Sequence, residues 1–377
     1  MTTTATAAVL RAFNQPLAFE RATVPEPAAG AVVARVAFGG VCGTDVHLHH
    51  GNLPIPLPLI LGHEGVGHVA RLGEGVTTDF TGLPLGEGDA IAWMSNITCG
   101  RCHWCVVAGE RTLCEQRKVY GVNQRFDQFP GLSGSWADTM YLQPGSAIFR
   151  LTDGVTPQQA IALGCAGPTA VHGVLDITRV EVGDTVVVQG SGPVGIAAAM
   201  YAHLAGAAKV ILVGAPASRL ALAKELGVGD VHLDIEETPD PAERIRWVRD
   251  ETPGGRGATV VLECAGVPAA VPEGFEMAAP GARYLVLGQY TDRGPVPINP
   301  HVITRKQLQV LGSWGFAEKH YQSHIQALPN LKRRFDLDRL VTLYPLSQAN
   351  QALADMAAGR VMKPLLVPEE RVPESSR

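Results

Sequence analysis

The sequence predicts an α/β protein in two parts, a β-rich part and a doubly wound parallel sheet, and three observations carry that prediction. From Val9 to about Leu151, short apolar runs alternate with proline and glycine, the pattern of brief strands joined by turns. After about Thr156 the pattern changes to short Val-rich runs separated by helix-length segments, which specifies parallel strands covered on both faces. The first of those runs ends directly in Gly190-Ser191-Gly192-Pro193-Val194-Gly195, a glycine turn that opens a helix.

Each element has its own reason. Pro16, Pro25, Pro27 and Gly30 punctuate the first strands, a proline-rich loop fills 53–58, and strand-like pieces follow at 67–70 and 90–93. An apolar segment at 158–175 precedes the run Thr185–Gln189, whose consecutive valines suit a strand buried on both faces. Further strand-like runs lie at 210–213, 259–262, 284–287 and 308–312. Helix-like segments cover 196–204, then 218–226 before Gly227, and 347–358 before Gly359.

A length of 377 residues, at roughly 150 residues per domain, implies two or three domains with a sizeable core. The 42 glycines and 27 prolines stay below the composition of a disordered chain, and 46% of residues are hydrophobic. Lys and Arg number 31 against 36 Asp and Glu, a net charge of -5, which disfavours partners bound through a phosphate backbone; no nucleic acid is expected. The longest apolar stretches, such as 196–202, are far short of the roughly 18 residues that cross a bilayer, so no membrane partner is expected. The start, Met1-Thr2-Thr3-Thr4-Ala5-Thr6, lacks the basic and apolar regions of a secretion signal, and the expected compartment is the cytoplasm. Four of the seven cysteines crowd between positions 99 and 114, which in a reducing compartment points to a metal rather than to disulfides.

In the glycine turn, Gly190 makes the bend, Gly192 lets backbone amides approach a pyrophosphate, and Gly195 lets helix and strand pack closely. With Pro193 and Val194 starting the helix, the loop reads as a dinucleotide site; the alternative is a tight turn without a ligand. An acid about twenty positions on normally binds the adenosine ribose, but the second strand here runs into Gly214-Ala215-Pro216. Nothing there repels a 2′-phosphate, and Ser218 and Arg219 are near enough in sequence to contact a ribose hydroxyl or a phosphate, so both NAD and NADP remain open.

Cys99, Cys102, Cys105 and Cys114 supply four thiolates, enough to close a tetrahedral zinc site with no open position. Such a site is structural, the alternatives being an iron–sulfur cluster or unliganded thiols. A second group comprises Cys42 in Cys42-Gly43-Thr44-Asp45-Val46-His47, His63 with Glu64, and Cys165. Three protein ligands of thiolate and imidazole leave a fourth zinc position for water or substrate, the catalytic arrangement. Cys264 belongs to neither group and reads as packing at a strand end, and Trp93, Trp136 and Trp314 read as core.

The chain resembles the zinc-dependent medium-chain alcohol dehydrogenases. Gly62-His63-Glu64-x-x-Gly67-x-x-x-x-x-Gly73-x-x-Val76 matches that family's zinc signature, and the four-cysteine lobe, Cys165 and the glycine loop follow in the family's order. The resemblance implies a GroES-like catalytic domain at 1–160, with a structural zinc lobe at 95–118, then a Rossmann domain at 161–310 and a return to the catalytic domain at 311–377. It implies two zinc ions per subunit, the catalytic one on Cys42, His63 and Cys165, with Glu64 a carboxylate that enters the coordination sphere in relatives. Asp45 would orient His63, Thr44 would take the proton of an alcohol, and His47 would pass it to solvent. Lys363 falls where relatives place a basic contact to the cofactor pyrophosphate. The expected reaction is reversible hydride transfer between a small alcohol, primary or secondary, and NAD(P), in a homodimer or homotetramer. The run Cys42 to His47 is similar to the polyol and threonine dehydrogenase branches, although the polyol branch has a glutamate where Cys165 stands. An inactive scaffold and a metal-ribbon binding module are the alternatives from other classes.

Overall fold

The structure is a computed structural model and describes residues 3–152 and 154–369, so the first two and last eight positions of the expected catalytic part lie outside it. The chain divides into two compact units. The first runs to Cys165 and takes in Ala317–Lys332 and the chain from Leu337 on; the second is Ala166–Phe316 with Arg333–Asp336. The division thus falls just after Cys165, which keeps that cysteine in the same unit as Cys42 and His63.

The first unit is built on short strands. Val32–Gly40 pairs antiparallel with Gly65–Leu72 and Thr139–Leu142, and Gly65–Leu72 pairs with Ala90–Trp93. The C-terminal strand Lys363–Val367 joins the other edge of Val32–Gly40, antiparallel, and lies parallel to Val341–Pro345. The tail therefore completes a sheet that the amino-terminal part begins. Its core gathers Leu10, Leu48, Ile60, Trp136 and Leu366, all essentially inaccessible to solvent. Trp93 and Trp136 are core residues as expected; the Trp136 indole N–H donates to Gly40 O at 2.9 Å.

The second unit is a six-stranded, wholly parallel sheet. Across it lie Val231–Asp234, Lys209–Gly214, Thr185–Gln189, Ala258–Glu263, Ala278–Val286 and Gln309–Gly312. Strand order reverses at Thr185–Gln189, the first strand in sequence, whose residues are all buried. In an open parallel sheet the crevice beyond the carboxyl end of that strand is where ligands bind. Every strand anticipated in this unit is present, as are helices Pro193–Leu204 and Ala217–Glu225. No helix among the described residues is long and apolar enough to cross a membrane.

Candidate metal centres and nucleotide loop

The first unit brings Cys42, His63, Glu64 and Cys165 together, with one ligand atom from each lying within 4.8 Å of the others. Cys42 is the N-cap of the short helix Gly43–His49, its backbone extended and its sulfur accepting the Thr44 N–H at 3.3 Å. Asp45, three residues on, completes a capping box by taking the Cys42 N–H on Oδ2 at 2.9 Å. Its other oxygen, Oδ1, takes the His63 Nδ1 proton at 3.2 Å. A carboxylate can only accept, so Nδ1 carries a proton, and Nε2 faces Cys42 Sγ at 3.3 Å. Asp45 is wholly buried and ties the Cys42 and His63 segments together with one side chain. Replacing it with alanine is expected to weaken metal binding at this centre by about 10–100-fold, read by competition with a chelator.

The electrostatics suit a dication. A hydrogen bond from Cys165 pulls the Cys42 thiol down to about 6 although burial opposes it, and the same bond, with burial, pushes Cys165 well above the ordinary thiol value. A divalent ion ligated by both sulfurs as thiolates would displace the protons they carry. Burial alone would lower the His63 pKa, but the charges of Cys42 and Asp45 outweigh it and raise it well above the usual value. Soft sulfur and imidazole are zinc donors.

Lys363 is where the structure departs most from expectation. The resemblance implies a contact to a cofactor pyrophosphate; in the structure Lys363 is the first residue of its strand, only 1% exposed, with its ammonium on Glu64 Oε2. Lysine is seldom buried unless paired, and Glu64 supplies the partner. Burial would raise the Glu64 pKa, but the Lys363 charge prevails and holds it below the usual carboxylate value. The other oxygen, Glu64 Oε1, accepts the Cys165 backbone N–H at 2.7 Å.

The second cluster is local. The sulfurs of Cys99, Cys102, Cys105 and Cys114 lie within 4.8 Å of one another, with Cys102 and Cys105 3.5 Å apart, and none is in a disulfide. Gly100 takes a positive φ of 67°, turning the chain so that the Arg101 and Cys102 amides hydrogen-bond to the Cys99 sulfur and bring its pKa to about 6. Cys102 is lowered by the amides of Glu115 and Cys105, whereas burial pushes Cys105 up to about 12. Four sulfurs at these spacings fit a closed tetrahedral zinc site. One tie was not foreseen: Arg111 Nη2 donates to Glu318 Oε1 at 2.7 Å, and Thr98 Oγ1 to the same oxygen at 3.0 Å, fastening the lobe to helix Glu318–Arg334.

In the second unit the three loop glycines differ in what they avoid. A side chain at Gly190, whose φ is 117°, would strike the backbone of Cys264 and Ala265 at 2.9 Å, and one at Gly195 would strike the Gly190 carbonyl. At Gly192 it would meet only Arg219 Nη1 at 3.9 Å, so protein packing does not require glycine there. The open space suits close approach of a ligand to the backbone. Gly192 also caps the twelve-residue helix Pro193–Leu204 without a side-chain hydrogen bond, leaving the N–H groups of its first turn directed at that space.

The missing acid at Gly214 has a packing cause. A Cβ there would lie 2.7 Å from Ser191 N and Oγ, and Ser191 itself donates to Ala215 O at 2.8 Å. Arg219 lies beside Gly192, partly buried, with its Nε lacking a hydrogen-bond partner; burial lowers its pKa. Ser218 is exposed in the first turn of helix Ala217–Glu225. Thr44 and His47 are half-buried three residues apart on one face of helix Gly43–His49, and Asn52 Nδ2 lies 3.1 Å from His47 Nδ1. Cys264 is buried, its thiol pushed up by burial, as a packing residue should be; Trp314, expected in the core, is 40% exposed and stacks on Tyr290.

Comparison with known proteins agrees with both units. Residues 28–153 match the family model of the alcohol dehydrogenase GroES-like domain, and residues 193–330 match that of the zinc-binding dehydrogenases. The chain is 38% identical over 343 residues to the 5-exo-hydroxycamphor dehydrogenase of Pseudomonas putida, covering 90% of this chain and 92% of that protein. It is 31% identical over 352 residues to a sorbitol dehydrogenase of Halalkalibacterium halodurans, covering 91% and 94%. An alcohol dehydrogenase structure from Thermotoga maritima superposes with a TM-score of 0.91 at 34% identity, over 97% of this chain and all of that one. A Sinorhizobium meliloti structure described as a zinc-binding dehydrogenase and bound to NADP superposes with a TM-score of 0.83 at 27% identity, over 97% and 100%. With its GroES-like and parallel-sheet units, its clustered sulfur and imidazole donors and these relatives, the chain belongs to the zinc-dependent alcohol dehydrogenase family of medium-chain dehydrogenases.

Proposed function

We propose that the protein is a working dehydrogenase that interconverts an alcohol, primary or secondary, with its aldehyde or ketone. The observation that carries this reading is that Cys42, His63 and Cys165 each offer a ligand atom within 4.8 Å of the others, with the imidazole already oriented by Asp45. When bound there, zinc supplies a Lewis acid for the substrate oxygen, and a nicotinamide nucleotide supplies the hydride acceptor. The four-cysteine lobe would hold a second, structural zinc.

The chain's own residues do the rest. Thr44, in the first turn of its helix, takes the hydroxyl proton of the substrate, and His47, one turn on, passes it toward water. Asn52 Nδ2, 3.1 Å from His47 Nδ1, steadies the ring. The Gly192 to Gly195 backbone and the open first turn of its helix bind the pyrophosphate. Arg219, with a donor to spare beside Gly192, binds the adenosine ribose, and with no acid at Gly214 a 2′-phosphate is admitted as well.

The test is a panel followed at the nicotinamide absorbance, with NAD and NADP supplied separately. The alcohols are those the relatives' names suggest, namely 5-exo-hydroxycamphor, sorbitol, geraniol and L-threonine. Turnover of at least one, with zinc present, is expected; none with either nucleotide would leave the scaffold reading standing. Arg219→Ala is expected to weaken nucleotide binding by about tenfold, the worth of one charge-assisted hydrogen bond, as measured by titration.

A further inference from the structure

We propose that Lys363 is a positioning residue of the metal centre, holding the Cys165 sulfur in place through Glu64. The inference rests on the reading of Cys42, His63 and Cys165 as ligands. Glu64 spends both oxygens: Oε2 pairs with the Lys363 ammonium, and Oε1 accepts the backbone N–H of Cys165 at 2.7 Å. Cys165 itself lies between the short helices Pro157–Ile161 and Ala166–Ala170, in neither of them. Lys363, by contrast, is set in a strand paired on both sides, with Val341–Pro345 and with Val32–Gly40. The chain Lys363, Glu64, Cys165 therefore registers a loop-borne sulfur to the sheet.

The surroundings are shaped for this pair. A Cβ on Gly40 would strike Glu64 Oε2, and one on Gly164 would strike both Glu64 Oε1 and the Lys363 ammonium. Gly164 also has a positive φ of 47°. Glycines at two places far apart in sequence keep clear the volume that the charged pair fills. The paired side chains are 2% and 3% exposed, and a buried ion pair gains little stability over well-packed apolar residues of similar size. Stability alone therefore gives no reason to build it, whereas fixing the Cys165 amide does.

Glu64 also lies close enough to the other donor atoms to reach an ion there once it is released from Lys363. Removing the ammonium should thus loosen Cys165 and free a competing oxygen donor. Lys363→Met and Lys363→Arg would be prepared with the wild type in zinc-loaded and cobalt-substituted forms. The wild type is expected to bind two equivalents of metal. Lys363→Met is expected to release one of them to a chelator about 10–100-fold more readily, to hold the other unchanged, and to lose only the share of cobalt–thiolate absorption that belongs to the released metal. Lys363→Arg should restore both readouts. Where Lys363→Met does not fold, the double variant E64L/K363M leaves no unpaired buried charge and is read in the same way. Two equivalents held by Lys363→Met with wild-type affinity and an unchanged cobalt spectrum would overturn the role of Lys363 and leave the metal centre standing. A single equivalent in the wild type would overturn the centre itself and this role with it.

Discussion

Cys42→Ala and His63→Ala are each expected to abolish alcohol turnover while nucleotide binding persists. Each removes one of the three proposed ligands, and the remaining pair no longer specifies a metal site. A Lewis acid contributes several kcal/mol to such a reaction, and at about 1.36 kcal/mol per tenfold the expected loss is on the order of 10³-fold or more. Nucleotide binding is spared because the glycine loop and its parallel sheet lie in the other unit, with a hydrophobic core of their own around Val187, Val261 and Tyr284. Turnover measured beside nucleotide titration checks both halves; full activity in either variant would refute the assignment. His63→Ala also leaves the buried Asp45 without its imidazole, so its melting temperature should be compared with that of Cys42→Ala.

Cys114→Ser is expected to cost stability instead of chemistry. The lobe has little apolar packing of its own: Val106 and Val107 are 63% and 73% exposed. A closed tetrathiolate site contributes folding free energy directly. Losing one ligand should lower stability by at least about 3 kcal/mol, which for a unit of this size is a fall of roughly 6–12 °C in melting temperature. One metal equivalent should disappear with it. A variant, or a chelated wild type, that melts at the original temperature would remove the structural role of the lobe.

How much of this was legible before the structure depended on range. The strand Thr185–Gln189 declares itself because a strand covered on both faces reads as an unbroken apolar run, here Val186 to Val188, and Gly190 to Gly195 follows it without a gap. The cysteines at 99, 102, 105 and 114 share one short segment, so spacing alone groups them. Cys165 groups with Cys42 and His63 by donor type and by family resemblance, since no local spacing relates residues so far apart. The Glu64–Lys363 pair, 299 positions apart, and the Arg111–Glu318 pair, 207 apart, were invisible for the same reason. Family resemblance pointed Lys363 toward a cofactor pyrophosphate, and no local pattern marks a lysine as buried against a carboxylate. Gly40 and Gly164 were the available hint, being glycines next to or near the ligands Cys42 and Cys165 with no turn motif to explain them. The absent acid at Gly214 was plain in the sequence, but its cause, the side chain of Ser191 filling that space, was not.

The most direct measurement of the central claim is an anomalous difference map at the zinc absorption edge from crystals grown with the metal. Two peaks per chain are predicted, one enclosed by Cys99, Cys102, Cys105 and Cys114 and one touching Cys42, His63 and Cys165 together. A single peak in the cysteine lobe, with density showing Cys165 turned away from His63, would contradict it.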